Sequence, residues 1–308
     1  MNIALLKGGI SSEREISLVT GKACAVALRS LGYIVTEIDA HPARLEAALR
    51  KLSPDVVFNA LHGDWGEDGE VQRILDGLRV PYTHSSAEAS ALAMNKDNAK
   101  TVLRKHGITV PQGAVMSRTK VAKGGAWSTP YVVKPNGQGS SKSVYLVLDE
   151  TAEQLEDIES DYEMGEDVII ESYVPGRELT VTVMGDRALA VTEIIPEGWY
   201  DFDEKYGDNA ARHELPAKLP AEVTELCLHR ALAAHRALGC RGLTRTDFRY
   251  DDTEKSDNRD MANKVVTLEL NTQPGMTPTS LSPEQAAHVG VDFAQLCRWM
   301  VEDASWPR

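Results

Sequence analysis

Leu268-Glu269-Leu270-Asn271-Thr272-Gln273-Pro274-Gly275-Met276-Thr277-Pro278-Thr279-Ser280-Leu281 reads as the end of a β-strand running into a tight turn. The strand spans residues 265–271. Pro274-Gly275 breaks it, because proline pre-sets a turn and glycine lets backbone approach closely. Residues two apart on a strand share a face, so Glu269 and Asn271 point one way while Leu268 and Leu270 point into the opposite layer. A carboxylate and an amide oxygen side by side on a rigid strand suit a hard divalent cation such as Mg2+, which takes oxygen ligands and usually shares them with phosphates. The same pair also suits the solvent face of an edge strand, and this stretch alone leaves both readings open.

Upstream, residues 243–250 form a second strand whose period of two puts Arg245 and Asp247 on one face. The charged segment 251–263 then reads as a hairpin loop. Such a hairpin brings Asp247 beside Glu269 and Asn271, giving three oxygen ligands and one arginine. Before it, residues 222–238 form an amphipathic helix with Val223, Leu226, Cys227, Ala231, Ala234 and Leu238 on one side and Gly239 closing it. Residues 178–184 and 187–195 read as strands. The long segment 197–216, with Trp199, Tyr200, Lys205, Tyr206 and Arg212, reads as a loop of the kind that serves as a lid. Together these make a unit of residues 172–308.

Residues 85–171 form another unit. A helix over 89–104, ended by Gly107, carries Lys96, which alone reads as a solvated charge. Strands at 131–134 and 144–148 flank a loop rich in glycine and serine, with Lys134 at its root. Backbone N–H groups and hydroxyls of such a loop can wrap phosphates, although a surface loop is the plainer reading and the P-loop pattern is absent. Residues 1–84 alternate strand and helix in a Rossmann-like pattern that predicts a parallel sheet. Its first helix has Ile16, Val19, Ala23 and Val26 as the expected buried stripe, with Ser12 and Glu15 as a capping box. No G-x-G-x-x-G follows the first strand, so a dinucleotide site is not indicated. His62 lies in a loop at a carboxyl edge of that sheet, where ligands of such sheets bind.

The chain has 308 residues, enough for two or three domains, with 42% hydrophobic and 26% charged residues as in soluble globular proteins. A formal net charge of -13 disfavours nucleic-acid and anionic-membrane partners and favours small molecules. Cys24, Cys227, Cys240 and Cys297 form no CxxC pair and read as buried free thiols of a reducing compartment. No apolar run approaches the roughly 20 residues that span a bilayer. A cytoplasmic protein without membrane insertion is expected.

Eight motifs, in order over nearly all of the chain, resemble the ATP-grasp ligases and, among them, the D-alanine–D-alanine ligase family. They are GGISSEREISL (8–18), HGDWGEDG (62–69), ASALAMNK (89–96), KPNGQGSS (134–141), ESYVPGRE (171–178), YDFDEKY (200–206), GCRGLTRTDF (239–248) and ELNTQPGMTPTSL (269–281). The resemblance implies an α/β ATP-grasp fold, with α+β character in its central and C-terminal parts. Residues 1–84 would be a Rossmann-like domain for substrate, 85–171 a central subdomain with the phosphate loop, and 172–308 a C-terminal subdomain with lid, metal site and oxyanion site.

Residue by residue, Lys96, Lys134, Ser141 and Lys205 match groups that hold ATP phosphates. Glu171, Ser172, Val174 and Glu178 match a hinge gripping adenine and ribose, with Trp199 and Leu268 as apolar walls. Asp247, Glu269 and Asn271 match Mg2+ ligands, with Mn2+ as a substitute. Glu13, Ser140 and Tyr206 match a hydrogen-bonded trio seating the first D-alanine, with His62 close by. Arg245 and the Gly275 N–H match an oxyanion-stabilising pair, and Ser280 and Leu281 the pocket for the second D-alanine. The implied activity is ATP-dependent formation of D-alanyl-D-alanine through a D-alanyl phosphate for peptidoglycan, in a homodimer. Alternatives are D-lactate or another amino acid as second substrate, or a nucleotide-binding homologue impaired in catalysis. Three positions depart from the family pattern: Asn95 for aspartate, Lys142 for an apolar residue and Ser143 for glycine.

Overall fold

A computed structural model describes residues 1–139, 143–195, 211–253 and 260–308. Near the start of the chain, β1 (Asn2–Gly8) lies between β2 (Ile34–Ala40) and β3 (Val56–Asn59) in a parallel sheet. Around it are α1 (Arg14–Ser30), α2 (Pro42–Leu52) and α3 (Glu70–Leu78). Alternation along the strands splits the apolar residues between two layers. Ile3, Leu5 and Phe58 join α1 on one side, and Ala4, Leu6 and Val57 join Leu45, Leu49 and Leu75 on the other. A parallel sheet covered on both faces produces this division.

Two expectations for α1 are corrected. Its buried face is Ser17, Thr20, Gly21, Cys24, Ala27 and Leu28, whereas Val19 and Val26 are 58% and 62% exposed. The reason is close approach: a Cβ on Gly21 would come within 2.6 Å of the Lys7 Cβ. Small residues therefore face the sheet and branched apolar ones face outward. The capping box is absent as well. Glu13 is the N-cap and makes no side-chain cap bond, while Ser11 Oγ accepts from the Glu13 N–H at 3.2 Å.

The next sheet is antiparallel and contains β4 (Gly113–Ser117), β5 (Tyr131–Pro135), β6 (Tyr145–Val147) and β7 (Asp167–Ser172) in the order β4-β7-β5-β6. Before it come α4 (Ala87–Met94) and α5 (Lys96–Lys105), whose Ala89, Ala93, Ala99 and Leu103 pack with Ala234, Leu238 and Leu270 further along the chain, while α6 (Arg118–Val121) and α7 (Ala152–Ser160) lie against this sheet. The single helix expected over 89–104 is two helices. Asn95 breaks it in an extended conformation, and its side chain accepts from the Asn98 N–H at 3.0 Å as the N-cap of α5. The departure from aspartate thus keeps a good capping residue and makes Lys96 the first residue of a helix.

The largest sheet has five antiparallel strands in the order β10-β9-β8-β11-β12: β8 (Arg177–Met184), β9 (Arg187–Ile195), β10 (Arg212–Glu214), β11 (Leu243–Tyr250) and β12 (Val265–Asn271). Part of the expected loop 197–216 is therefore strand, because β10 pairs with β9. Val223, Cys227 and Ala231 of α8 (Ala221–Ala237) pack on Leu179, Val181 and Phe248, the face the periodicity predicts. The chain continues through α9 (Met261–Lys264), α10 (Leu281–His288) and α11 (Phe293–Asp303). Leu296 and Met300 of α11 return to the α1 side of the first sheet, which ties the chain's end to its beginning. All four cysteines are buried and free, as expected.

Candidate active site

The hairpin of β11 and β12 forms in the expected register: Asp247 stands opposite Glu269 and Arg245 opposite Asn271. A bulge between Asp247 and Phe248 leaves Leu268 as the extra residue on β12. Strict alternation is therefore wrong at this point. Leu270 is buried, but Leu268 is only partly so, which suits an apolar wall better than a core position.

Arg245 donates from Nε and Nη2 to the two carboxylate oxygens of Asp247 at 2.9 and 2.8 Å, and Thr180 Oγ1 donates to Asp247 Oδ1 at 2.6 Å. A bidentate pair of this kind fixes both side chains. Asn271 Oδ1 accepts from the Gln273 N–H at 2.7 Å.

Across from this hairpin stand the two lysines. Lys96 Nζ donates to the Gln138 carbonyl at 2.5 Å and lies 3.7 Å from Glu269 Oε2. The N-terminus of α5 is clasped to the same loop, since the Lys96 and Asp97 N–H groups donate to Asn136 O and Oδ1 at 2.9 and 3.0 Å. Lys134 Nζ lies 4.0 Å from Glu269 Oε2 and 3.2 Å from Glu171 Oε2. Lys100 completes the file by pairing with the other oxygen of Glu171. Positive and negative charges thus alternate along Lys96, Glu269, Lys134, Glu171 and Lys100.

Burial disfavours charge on Lys134 and Glu171, but their neighbours reverse the outcome. Burial works against Lys134, yet Glu171 and Glu269 hold its pKa above the ordinary lysine value. Glu171 is likewise held below the usual carboxylate range by Lys134 and Lys100 despite its burial. For Lys100, burial and the charge of Lys134 push the pKa down to about 7, against the pull of Glu171.

A further cluster gathers at the first sheet's carboxyl edge. His62 is buried, with Nδ1 3.0 Å from Glu67 Oε1 and Nε2 3.1 Å from Thr20 Oγ1. Glu13 is buried beside it, and a Cβ added at Gly139 would lie 3.7 Å from both Glu13 Oε1 and Glu67 Oε2. The loop after β5 and the carboxyl edge of the first sheet therefore meet at this corner. A cleft lined by Glu67, Lys96, Gly139, Glu269, Asn271 and Thr272 joins it to the hairpin.

The remaining expected residues divide three ways. Along the expected hinge, Glu178 pairs with Arg249 at 3.3 Å, Arg249 Nε donates to the Val174 carbonyl at 3.2 Å, and Ser172 Oγ accepts from Trp127 Nε1 at 3.1 Å. Near the turn, Ser280 Oγ accepts from the Thr277 N–H at 3.1 Å. A Cβ on Gly275 would lie 3.1 Å from that hydroxyl, so glycine serves close approach there. Leu281 is buried with Ile194 and Ala211. Ser140, Ser141, Lys142, Trp199, Tyr200, Lys205 and Tyr206 lie outside the described residues.

The sequence reading passed over Glu67, Lys100, Thr180 and Gln273. Lys100 had a legible signal, since it follows Lys96 by one helical turn. Thr180 and Gln273 had none, because their partners are far away in the chain.

A family model described as D-ala D-ala ligase C-terminus matches residues 102–302, and one described as D-ala D-ala ligase N-terminus matches residues 36–85. The chain belongs to the D-alanine–D-alanine ligase family. Proteins of that name from Cereibacter sphaeroides and a Ruegeria species are 55% and 53% identical to it over 306 residues, covering 99% of this chain and 96% and 97% of theirs. A crystal structure of D-alanine–D-alanine ligase from Bacillus anthracis matches with a TM-score of 0.82 at 31% identity, over 98% of this chain and 97% of that one. The same enzyme complexed with ATP gives 0.79 at 29% identity, again over 98% and 97%. The Coxiella burnetii enzyme gives 0.80 at 26% identity, over 98% and 93%. The ATP-grasp architecture read from the motifs is thus the one observed, and the activity that goes with the family is ATP-dependent ligation of D-alanine.

The loop between β5 and β6, expected to wrap phosphates, carries one strained departure. Ser143 has φ 57, in the left-handed region that glycine enters without penalty. The strain is on the order of 1 kcal/mol, which amounts to about fivefold in affinity if ATP binding depends on this loop conformation. Ser143→Gly is expected to lower the ATP KM by a few fold with kcat little changed. An unaltered KM would show that the strain does not reach the nucleotide.

Proposed function

We propose that the chain joins two D-alanines into D-alanyl-D-alanine for peptidoglycan, with ADP and phosphate as co-products, through the following assignment of its residues. The observation that carries it is the alternating file of charges facing the Asp247–Glu269 register pair. Lys96 and Lys134 hold the ATP phosphates, joined by Ser141 and Lys205. Glu171, Ser172, Val174 and Glu178, between Trp199 and Leu268, take the adenosine. A nucleotide arriving here would draw the two lysines from Glu269 toward its phosphates, an exchange of one anionic partner for another.

Asp247, Glu269 and Asn271 would hold Mg2+, and the donor set fits it: two carboxylates and an amide oxygen, on adjacent strands in register. When bound, the ion neutralises charge on the transferring phosphoryl group. Glu13, Ser140 and Tyr206 seat the first D-alanine, with His62 held by Glu67 beside it. Its carboxylate oxygen attacks the γ-phosphorus and the bond to ADP breaks, leaving D-alanyl phosphate. The amine of the second D-alanine, placed by Ser280 and Leu281, then attacks the acyl carbon. Arg245 and the Gly275 N–H donate to the developing oxyanion, and phosphate departs with the amine's proton lost. Water must be excluded, because it would hydrolyse the acyl phosphate.

The division at residue 84 is supported by the sheets, since none draws strands from both sides of it among the described residues, and the second boundary falls at the end of β7, whose Ser172 still pairs with Tyr131 one residue past the division at 171. A cytoplasmic location agrees with four free buried cysteines, and among the described residues no helix is long and apolar enough to cross a membrane. Phosphate release with D-alanine, L-alanine, or D-alanine plus D-lactate, with products identified by mass, tests the whole reading. Absence of turnover with D-alanine would remove it, and a depsipeptide product would change the second substrate.

A homodimer is supported by the outward face of α1, where Val19 and Val26 are exposed with the half-buried Ala23 between them and the half-buried Ile16 one turn before. Val19→Asp combined with Val26→Asp is expected to convert a dimer to a monomer by light scattering. A dimer that persists would place the interface elsewhere.

A further inference from the structure

The turn after β12 holds a glutamine that the reaction described above does not use. Gln273 is 1% exposed, yet it has no charged partner among the described residues and lies in no helix or strand. Its side-chain amide spans from the C-terminal hairpin to the first sheet. Oε1 accepts from Asn59 Nδ2 at 2.9 Å, and Nε2 donates to the Leu61 carbonyl. Its backbone N–H donates to Asn271 Oδ1 at 2.7 Å. One residue therefore touches both the strand end that carries the metal-ligand set and the peptide immediately before His62.

Asn59 extends the connection. It ends β3 at 0% exposure, its Oδ1 accepts from the Leu61 N–H at 3.1 Å, and its Nδ2 also reaches the Gly66 carbonyl at 3.2 Å. The loop that presents His62 and Glu67 is thus held at both ends by Asn59, and Asn59 is held by Gln273. Buried amides are costly to leave unsatisfied, so this pairing fixes a distance between two units that could otherwise shift by small amounts. An apolar side chain of similar length would fill the same space but would leave the Leu61 carbonyl without this donor and Asn59 Nδ2 with only the Gly66 carbonyl, so the glutamine and Asn59 act as a matched pair.

We infer that Gln273 is a positioning residue that couples the seat of the first D-alanine to the strand end bearing Asn271. It sets His62 and Glu67 at the distance from the hairpin at which a bound carboxylate meets the γ-phosphate. Reactions that depend on near-attack placement are sensitive to displacements of about 1 Å from groups remote from the chemistry. This inference rests on the proposal that the His62 loop receives the first D-alanine.

The test compares the wild type with Gln273→Met, which keeps length and bulk but loses both amide bonds. Gln273→Glu, which keeps the acceptor toward Asn59 and loses the donor toward Leu61, is measured beside it in case the first variant folds poorly. Two quantities decide: the KM of ATP against that of first-site D-alanine, and the Kd of D-alanine from calorimetry in the absence of nucleotide. Both variants are expected to weaken first-site D-alanine about tenfold by KM and Kd, with the ATP KM within about twofold and a native melting transition. Asn59→Leu added to Gln273→Met is expected to do little further harm, because the two residues act as one connection.

An unchanged D-alanine Kd would overturn the inference. So would an equal rise in both KM values, or fully additive losses in the double variant, since each marks a general structural role. If the wild type itself shows no D-alanine turnover, the functional proposal fails first, and the two failures are thereby told apart.

Discussion

Glu269→Gln is expected to abolish ATP turnover, a loss on the order of a thousandfold or more, while leaving the fold intact. The replacement keeps the shape of the side chain and removes only its charge. That charge faces Lys96 at 3.7 Å and Lys134 at 4.0 Å in the structure, and it stands opposite Asp247 in the hairpin. Neither lysine is stranded by the change: Lys134 retains Glu171 and Lys96 retains the Gln138 carbonyl. The melting temperature should therefore move by only a few degrees, on the scale of about 1 kcal/mol. Phosphate release with D-alanine, measured beside calorimetric unfolding, separates the two effects. Retained turnover would show that Glu269 is a structural partner of the lysines and not a metal ligand.

The second large effect is expected at Arg245. Arg245→Gln removes the guanidinium proposed to stabilise the oxyanion and should lower kcat by about a hundredfold to a thousandfold, or roughly 3 to 4 kcal/mol of transition-state stabilisation. If its action is confined to the oxyanion, the ATP KM should change by no more than a few fold. A competing role is visible in the structure, since Arg245 also fixes both oxygens of Asp247. Were orientation of Asp247 its main contribution, the ATP KM would rise at least as much as kcat falls. Steady-state kinetics with ATP as the varied substrate decides between them. Thr180 Oγ1 continues to donate to Asp247 in the variant, so the carboxylate keeps one buried partner.

Glycines and polar pairs at short spacing were the legible part of the site. Arg245 and Asp247, or Glu269 and Asn271, are two residues apart on strands, and a period of two is a local property of the backbone. Lys134 at the root of its loop was legible for the same reason. The register that sets Asp247 against Glu269 was also within reach, because a hairpin constrains its own strands. By contrast, the bulge at Leu268, the outward face of α1 and the break at Asn95 went against simple periodicity. In each case packing decided: close approach at Gly21 selected small residues for the helix face, and an extra residue in β12 altered the side on which Leu268 lies.

By itself, the sequence determined the family and the ATP-grasp architecture and supplied the candidate residues proposed for phosphate, metal and amino acid, because each motif is contiguous and its chemistry is local. Tertiary structure decided which charges meet. Glu171 had an expected place at the hinge, but only the fold sets it between Lys134 and Lys100, and only the fold brings Gln273 to Asn59 and Leu61 across more than 200 residues. Hydrogen bonds and ion pairs act over a few ångströms in space and leave no mark in sequence spacing when their partners sit in different sheets.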